Sequence, residues 1–580
     1  MASQPDPVRP YRPDVMARRH LVVSGHYWAS LAGFQILEAG GNAIDAGIAT
    51  GIAINVLQSE FTGFGGVGPA MIYLADRGEV VTISGVGTWP AAVNCAYFHE
   101  HFGGRVPQGI LHTVVPASPD IWITALEEYG TISFEDAAAA AIRFARDGFP
   151  MYPMMAERIE ETAAETKTFP TTAAIYLPGG RPPEVGELFF QKDLAGTLQY
   201  LADEERAHAG QGREAGLSAA RDAFYKGEIA RAIVRQQVEL GGLLTAEDLA
   251  SFRAEIEPPQ RVVLRDGTEI YGCGPWCQGP MVLEALAILD GIDLKAMGHN
   301  SPAYIHAVTE AMKLAAADRE AYFGDPNFVD VPMATILSDD YIDRRRSLLD
   351  PKRAWPEMPP PGEIAGFDKP PWKPDPSAGS GVEMAGLDTS YLCVADSKGN
   401  VFSVTPSDGS TGGPVVPGTG IKTSAWGSRA YTDPDHPACV GPGRRPRMSC
   451  NPMMAMRDGK MMLALGSPGS EVLGQAQIQV FLNMMAFGMS PQAAVEKPRF
   501  ASYSWPGSGL PHEYFPARLT LEEDIGRCSA DALGAMGHEI AWWPVREWLA
   551  GSVCVIHSDL ETGIMQGGAD HRLTAYAVGW

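Results

Sequence analysis

The chain has 580 residues, 45% of them apolar, and a formal net charge of −24. That length and composition describe a globular protein with a substantial core, built as one large α/β sandwich or as more than one domain. So acidic a balance argues against a nucleic-acid surface and against binding to anionic membranes, but leaves the substrate open, because one local Arg reverses the field inside a pocket.

The opening residues, "MASQPDPVRPYRPDVMARRH", are polar and rich in Pro and Arg, without the apolar core of a secretory signal. No run of about 18 apolar residues predicts a membrane span. Eight scattered cysteines fit reduced thiols better than a disulfide framework, so the expected location is the cytoplasm. Cys273 and Cys277 flank "GPW" at a spacing that is neither C-x-x-C nor a zinc knuckle, and are read as packing residues.

In chain order, "GGNAIDAGIATGIAINVLQ" (Gly40–Gln58) is apolar nearly all round and predicts a buried helix. "AMIYLAD" and "VVTISG" predict strands. The middle is mostly helical: "FEDAAAAAIRFARDG" stops at Gly148, and "AYIHAVTEAMKLAAADREAYFGDP" stops at Gly324 and Pro326. From Pro351 to Pro376 the chain is proline-rich, which predicts an exposed, polyproline-like segment. Beyond it come two hairpins turning at Ser397–Asn400 and Asp458–Gly459, a helix over "QAQIQVFLNMMAFG", and one or two strands in "SVCVIHSDLETGIMQGGAD". Antiparallel hairpins mixed with helices point to layered α/β rather than a doubly wound parallel sheet.

Two motifs look chemical and read better as structure. "GFGGVG" (Gly63–Gly68) matches G-x-G-x-x-G, but a helix precedes it and a strand follows, the reverse of a dinucleotide site; a turn where backbones approach closely is expected. "FHEHFGG" places His99 and His101 around Glu100 with no further ligands at metal spacing, so a solvated loop is expected and no metal or cofactor is assigned.

Two others carry more. In "LALGSPGSEVLG" a strand runs into Gly466–Ser470 and a helix follows, so backbone N–H groups at the turn are free either to be capped or to hold an oxyanion. In "AGLDTSYLCVADSKGNVFSV" a fresh strand opens on Thr389. A threonine with a free α-amine is a good nucleophile, since that amine titrates at roughly 7.7–8 and serves as its base. An internal Thr has that amine only if the bond before it is cut. β-Propensity alone explains a strand-starting Thr, so on the residues both readings stand.

The ordered set "EAGGNAIDAGIATGIAINVLQSEFTGFGGVG", "AFYKGEIARAIV", "GGLLTAEDLASF", "DTSYLCVADSKGNVFSVT", "GPGRRPRMSCNPMMAMRDGK", "LGSPGS" and "GGADHRLTAYAVGW" resembles the γ-glutamyltranspeptidase family of N-terminal-nucleophile hydrolases, from about His20 to Trp580. The resemblance implies an α/β, four-layer αββα sandwich. It implies self-cleavage between Asp388 and Thr389, giving fragments 1–388 and 389–580 that stay associated as one intertwined domain. It implies Thr389 as nucleophile, Ser407 as its supporting hydroxyl, and the amides of Gly469 and Ser470 as oxyanion donors. A small-molecule amide is the implied partner, and a homo-oligomer is left open.

The departures concern the substrate. Glutamyl-specific members hold the substrate α-carboxylate with an Arg where this chain has Val86, and the α-ammonium with an acid where this chain has Arg429. A contacting Asn becomes Gly409, a nearby Gln becomes Trp426, and of two paired serines only Ser449 remains, after Met448. Lost contacts to charge cost roughly 1.5–3 kcal/mol each, and a base in place of an acid adds repulsion. A guanidinium suits a carboxylate instead. The expected reaction is therefore hydrolysis of a small amide whose acyl part lacks an ammonium, such as oxamate. The alternative is a glutathione hydrolase or γ-glutamyl transferase with a rebuilt head-group site.

Overall fold

A computed structural model of the chain describes residues 10–367 and 388–580. Two seven-stranded sheets form its centre. The first runs in the order Val15–Ala17, Met565–Ala569, Cys554–Ser558, Lys460–Gly466, Met453–Arg457, Glu269–Gly272 and Gln260–Val263. The second runs Tyr576–Gly579, Leu21–Ser24, Leu392–Ala395, Val401–Val404, Ala70–Leu74, Glu79–Ile83 and Ile256–Glu257. Neighbours in both sheets are antiparallel. Each sheet takes strands from before and after residue 388, so the two parts of the chain share one core.

Side-chain alternation makes the layers. Along Leu392–Ala395, Leu392 and Val394 point to a helical layer while Cys393 and Ala395 point to the other sheet. Along Met453–Arg457, Met454 and Met456 meet that inter-sheet layer while Met453 and Ala455 face a second set of helices. The order is helices, sheet, sheet, helices: the four-layer αββα sandwich. The expected buried helix is Ala43–Leu57, with all of its residues buried. Asn42 and Asp45 close its N-terminus in a capping box, and the buried Asp45 carboxylate also accepts from Thr131.

The hairpins at Ser397–Asn400 and Asp458–Gly459 form as expected, and Cys273 and Cys277 are buried in the inter-sheet core. Three expectations are corrected. "GFGGVG" is mostly strand, Thr62–Val67, paired with Ser407–Asp408. A Cβ on Gly66 would lie 2.4 Å from the Ser407 carbonyl oxygen and one on Gly65 2.4 Å from that of Lys422, so the glycines do serve close backbone approach. His99 and His101 are exposed but lie on a helix, Cys95–Phe102, closed by left-handed Gly103. The Pro-rich segment is not simply exposed. Ala354 and Ile364 are buried, and Trp355 and Gly362 donate backbone N–H groups to Glu310 and Asp318. Its continuation to Pro376 lies outside the described residues. Short strands at Phe500–Ser502, Arg518–Glu522 and Glu539–Trp543 form a further sheet that patterning did not reveal.

Candidate active site

Thr389 stands at the entry to strand Leu392–Ala395 and is buried. Its neighbours fix the backbone: Ser390 N–H donates to the Pro406 carbonyl at 2.8 Å, and Ser390 Oγ donates to Gln58 Oε1 at 2.6 Å. The return strand Val401–Val404 leads to Ser407, which a register shift between Ser407 and Asp408 turns inward. Ser407 Oγ is 2.9 Å from Thr389 Oγ1 and donates to the Asp388 carbonyl oxygen at 3.0 Å. Thr389 Oγ1 also lies against that carbonyl oxygen. With Thr389 donating to Ser407 and Ser407 donating to the carbonyl, one proton chain serves all three groups.

From the opposite sheet, strand Lys460–Gly466 brings up the Gly-Ser-Pro-Gly-Ser turn. A Cβ on Gly466 would fall 2.3 Å from the Tyr391 ring, so only glycine lets the strand end beneath the strand that Thr389 leads into. Gly469 has φ 130° and Ser470 φ 48°, a conformation that costs a non-glycine residue about 1–3 kcal/mol. Neither amide donates to a protein group among the described residues. Helix Glu471–Met485 follows, and Glu471 anchors its start. Arg319 Nη1 and Trp505 Nε1 donate to Glu471 Oε2 at 2.8 and 2.9 Å, and Gln278 donates to Oε1. Against burial, the Arg319 guanidinium and these donors hold the Glu471 carboxyl below its ordinary range.

Arg429, on the short helical turn Trp426–Arg429, links the two halves of the site. Nη2 is 3.4 Å from the Asp388 carboxylate, Nη1 donates to Ser470 Oγ at 3.2 Å, and the guanidinium lies over the Trp426 ring at 4.8 Å. Burial raises the Asp388 carboxyl, with Arg429 opposing. Arg429 Nε, Trp426 Nε1 and Ser449 Oγ are buried without a partner among the described residues. Gly409 packs so tightly that a Cβ would sit 2.2 Å from the Glu60 carbonyl oxygen, which leaves no room for an Asn. Val86 is buried in the inter-sheet core.

The fold thus gathers Asp388, Thr389, Ser407, Arg429, Trp426 and Ser470. Ser449 and Gly469 adjoin the cluster without a hydrogen bond to Thr389 among the described residues. Two features were not singled out from sequence. Cys450 Sγ lies 3.8 Å from Thr389 Oγ1, its thiol pushed up to about 12 by burial. Lys422 and Asp408 form a buried ion pair at 3.0 Å, and Asp408 also accepts from the Ala425 amide. The only signal for them was adjacency, Cys450 to Ser449 and Asp408 to Ser407.

Known proteins resemble the chain along its length. The family model described as Gamma-glutamyltranspeptidase matches residues 29–580. The acylase ACY 1 proenzyme of Pseudomonas sp. strain SE83 is 33% identical over 91% of this chain and 88% of its own. The glutathione hydrolase-like YwrD proenzyme of Bacillus subtilis is 30% identical over 97% and 99%. The oxamate amidohydrolase proenzyme of Klebsiella pneumoniae is 28% identical over 97% and 98%. Among solved structures, the cephalosporin acylase of Bacillus halodurans superposes with a TM-score of 0.85 at 28% identity, covering 100% of this chain and 99% of its own. Shared fold, shared length and the family match together make this chain an enzyme of the γ-glutamyltranspeptidase family, a group of N-terminal-nucleophile hydrolases made as proenzymes.

Proposed function

We propose that the chain cuts itself between Asp388 and Thr389 and then hydrolyses a small amide with Thr389 as nucleophile. One observation carries the reading: a single hydroxyl, Ser407 Oγ, touches both Thr389 Oγ1 and the Asp388 carbonyl oxygen. In processing, Thr389 Oγ1 attacks the Asp388 carbonyl carbon while Ser407 stabilises the charge growing on the carbonyl oxygen. The C–N bond breaks, the Thr389 nitrogen leaves as an amine, and an ester joins Asp388 to the threonine oxygen. Water hydrolyses the ester. Fragments 1–388 and 389–580 result, and their interleaved strands keep them together.

In turnover the freed α-amine takes the Thr389 hydroxyl proton as the oxygen attacks the substrate amide. The unpaired amides of Gly469 and Ser470 receive the oxyanion, each such donor being worth about 2.7–4 kcal/mol. The proton passes to the leaving amine, and water then releases the acyl group as an acid.

Asp388 supports a reading of the acyl group. Before cleavage its carbonyl occupies the place of a substrate carbonyl, and its carboxylate is held by Arg429. Once that end of the chain departs, Arg429, Trp426 and Ser449 are left with unspent donors beside the nucleophile. The substrate class that fits is an acyl amide whose carboxylate reaches Arg429 as the Asp388 side chain does; oxamate, whose carboxylate sits two carbons nearer the carbonyl, is the smallest candidate. A γ-glutamyl head group fits less well: Arg429 would face its ammonium, and Val86 offers its carboxylate nothing. Relatives named glutathione hydrolase proenzymes, among them one of Bacillus subtilis, keep that second reading under test.

A denaturing gel with mass spectrometry, followed by turnover of carboxylate-bearing amides against glutathione, decides between them. The expected result is a fragment beginning at Thr389 and faster release from the acidic acyl amides. A fully active single chain, or activity surviving Thr389→Ala, overturns the mechanism. Efficient glutathione turnover alone overturns only the substrate.

A further inference from the structure

Away from the reacting atoms, two half-buried cysteines lie on neighbouring segments that pack behind the Trp426–Arg429 turn. Cys95 opens helix Cys95–Phe102, and Cys439 lies on the loop that follows the Trp426–Arg429 turn. The Cys95 thiol donates to the Val440 carbonyl oxygen at 3.2 Å, which places its sulfur beside the residue that follows Cys439. Arg444 Nη1 donates to Cys439 Sγ at 2.8 Å and to the Cys439 carbonyl at 3.2 Å. No acidic side chain bonds Arg444 among the described residues, so its charge is directed at the sulfur.

We propose that Cys439 and Cys95 are a peroxide-reactive dithiol, with Cys439 as the attacking sulfur and Cys95 as the resolving one. Three geometric features support it. A guanidinium on one sulfur stabilises thiolate, the nucleophilic form. Both residues are partly accessible, unlike the buried Cys273, Cys277, Cys393, Cys450 and Cys554. A second thiol stands beside it, bonded to the carbonyl of the next residue, Val440, the arrangement that lets a sulfenic acid close to a disulfide before further oxidation. The neighbouring Cys95 thiol, together with Arg444, also brings the Cys439 thiol down to about 6 against the opposing effect of burial.

The chemistry balances with hydrogen peroxide as oxidant. Cys439 thiolate attacks one peroxide oxygen; the S–O bond forms, the O–O bond breaks and hydroxide leaves. Cys95 sulfur then attacks the sulfenic sulfur; the S–S bond forms and the sulfenic oxygen departs as water with the Cys95 proton. Two thiols lose two electrons, and the peroxide ends as two waters.

The bond would join two segments that already pair with each other against the Trp426–Arg429 turn. Trp89 N–H donates to the Arg444 carbonyl at 2.8 Å and Gly443 N–H to the Trp89 carbonyl at 3.0 Å. The Trp89 ring leaves no space for a Cβ on Gly427, between Trp426 and Arg429. A disulfide there covalently ties the Cys95 helix start to the loop behind Arg429.

The test uses the intact protein, whether processed or not, and does not depend on the amide-hydrolase reading. After treatment with hydrogen peroxide and rapid alkylation, non-reducing peptide mass spectrometry should find Cys95 linked to Cys439. In Cys95→Ser, dimedone should trap a sulfenic acid on Cys439. Arg444→Gln should slow alkylation of Cys439 at pH 7 about fivefold or more, with exposed Cys528 unchanged as the accessibility control. The proposal fails if both thiols are recovered free while Cys528 is oxidised, or if Cys528 alkylates faster than Cys439 in the unmodified protein.

Discussion

Ser407 Oγ stands 2.9 Å from Thr389 Oγ1 and 3.0 Å from the Asp388 carbonyl oxygen, so one hydroxyl contacts both atoms to which the proposed self-cleavage gives the attack and the growing charge. Ser407→Ala removes the donor to the carbonyl oxygen and should slow self-cleavage about a hundredfold. Ser407→Thr keeps the hydroxyl and should retain most of the rate. Band intensities on a denaturing gel over time measure both. Unchanged processing in the Ala variant would show that the contact is incidental.

Arg429 lies 3.4 Å from the Asp388 carboxylate, and in the proposed mechanism it remains to meet a substrate carboxylate once the Asp388–Thr389 bond is cut. Arg429→Gln should raise KM for a carboxylate-bearing amide by the equivalent of about 1.5–3 kcal/mol, while a neutral acyl amide of similar size changes little. Arg429→Lys should recover part of the loss, because a point charge lacks the guanidinium's paired donors. Equal losses on both substrates would assign Arg429 a packing role, through Trp426 and Ser470.

Gly466 faces the Tyr391 ring at a distance that no Cβ tolerates, and that ring is buried with its hydroxyl 2.6 Å from Ser403 Oγ. Gly466→Ala should cost about 1–3 kcal/mol in denaturant melts. It should also lower the rate per folded molecule, because the following turn shifts under Thr389. An unchanged midpoint would mean that the two sheets part more easily at this end than their packing indicates.

Glu60 gives the fold a pH dependence. Burial pushes its carboxyl up to about 7, with hydrogen bonding from Tyr152 and the Arg158 charge opposing. The folded chain therefore holds a proton there that the unfolded chain has already lost above its ordinary value of 4.5. Stability from this group is intact below about 4.5, falls as pH rises toward 7, and stays lower above it. Glu60→Gln removes the titration and should melt progressively above the unmodified protein between pH 5 and 8, by up to about 3 kcal/mol. A difference independent of pH would show that the carboxyl titrates normally.

Local pattern made several parts legible from the chain. The Ala-rich run over 43–57, apolar on every side, could only be a buried helix, and the turns at Ser397–Asn400 and Asp458–Gly459 announced hairpins. Both follow from periodicity and turn chemistry, which act over a few residues. The resemblance to the γ-glutamyltranspeptidase family implied that Thr389, Ser407 and the Gly466–Ser470 turn share one site. What local pattern could not supply was distance between remote segments. The strand nature of "GFGGVG" depends on Ser407–Asp408, and the anchoring of the Pro-rich segment depends on Glu310 and Asp318.

By itself the sequence determined which residues could be nucleophile, donor and cation, because those are properties of side-chain chemistry and of the motifs that carry them. Only the tertiary structure decided that one serine hydroxyl reaches both sides of the Asp388–Thr389 bond, that Arg429 turns toward Asp388 and Ser470, and that Cys450 backs Thr389. Those relations join segments 18 to 61 positions apart. They are fixed by how two sheets and their helices pack, and no short window of sequence contains that information.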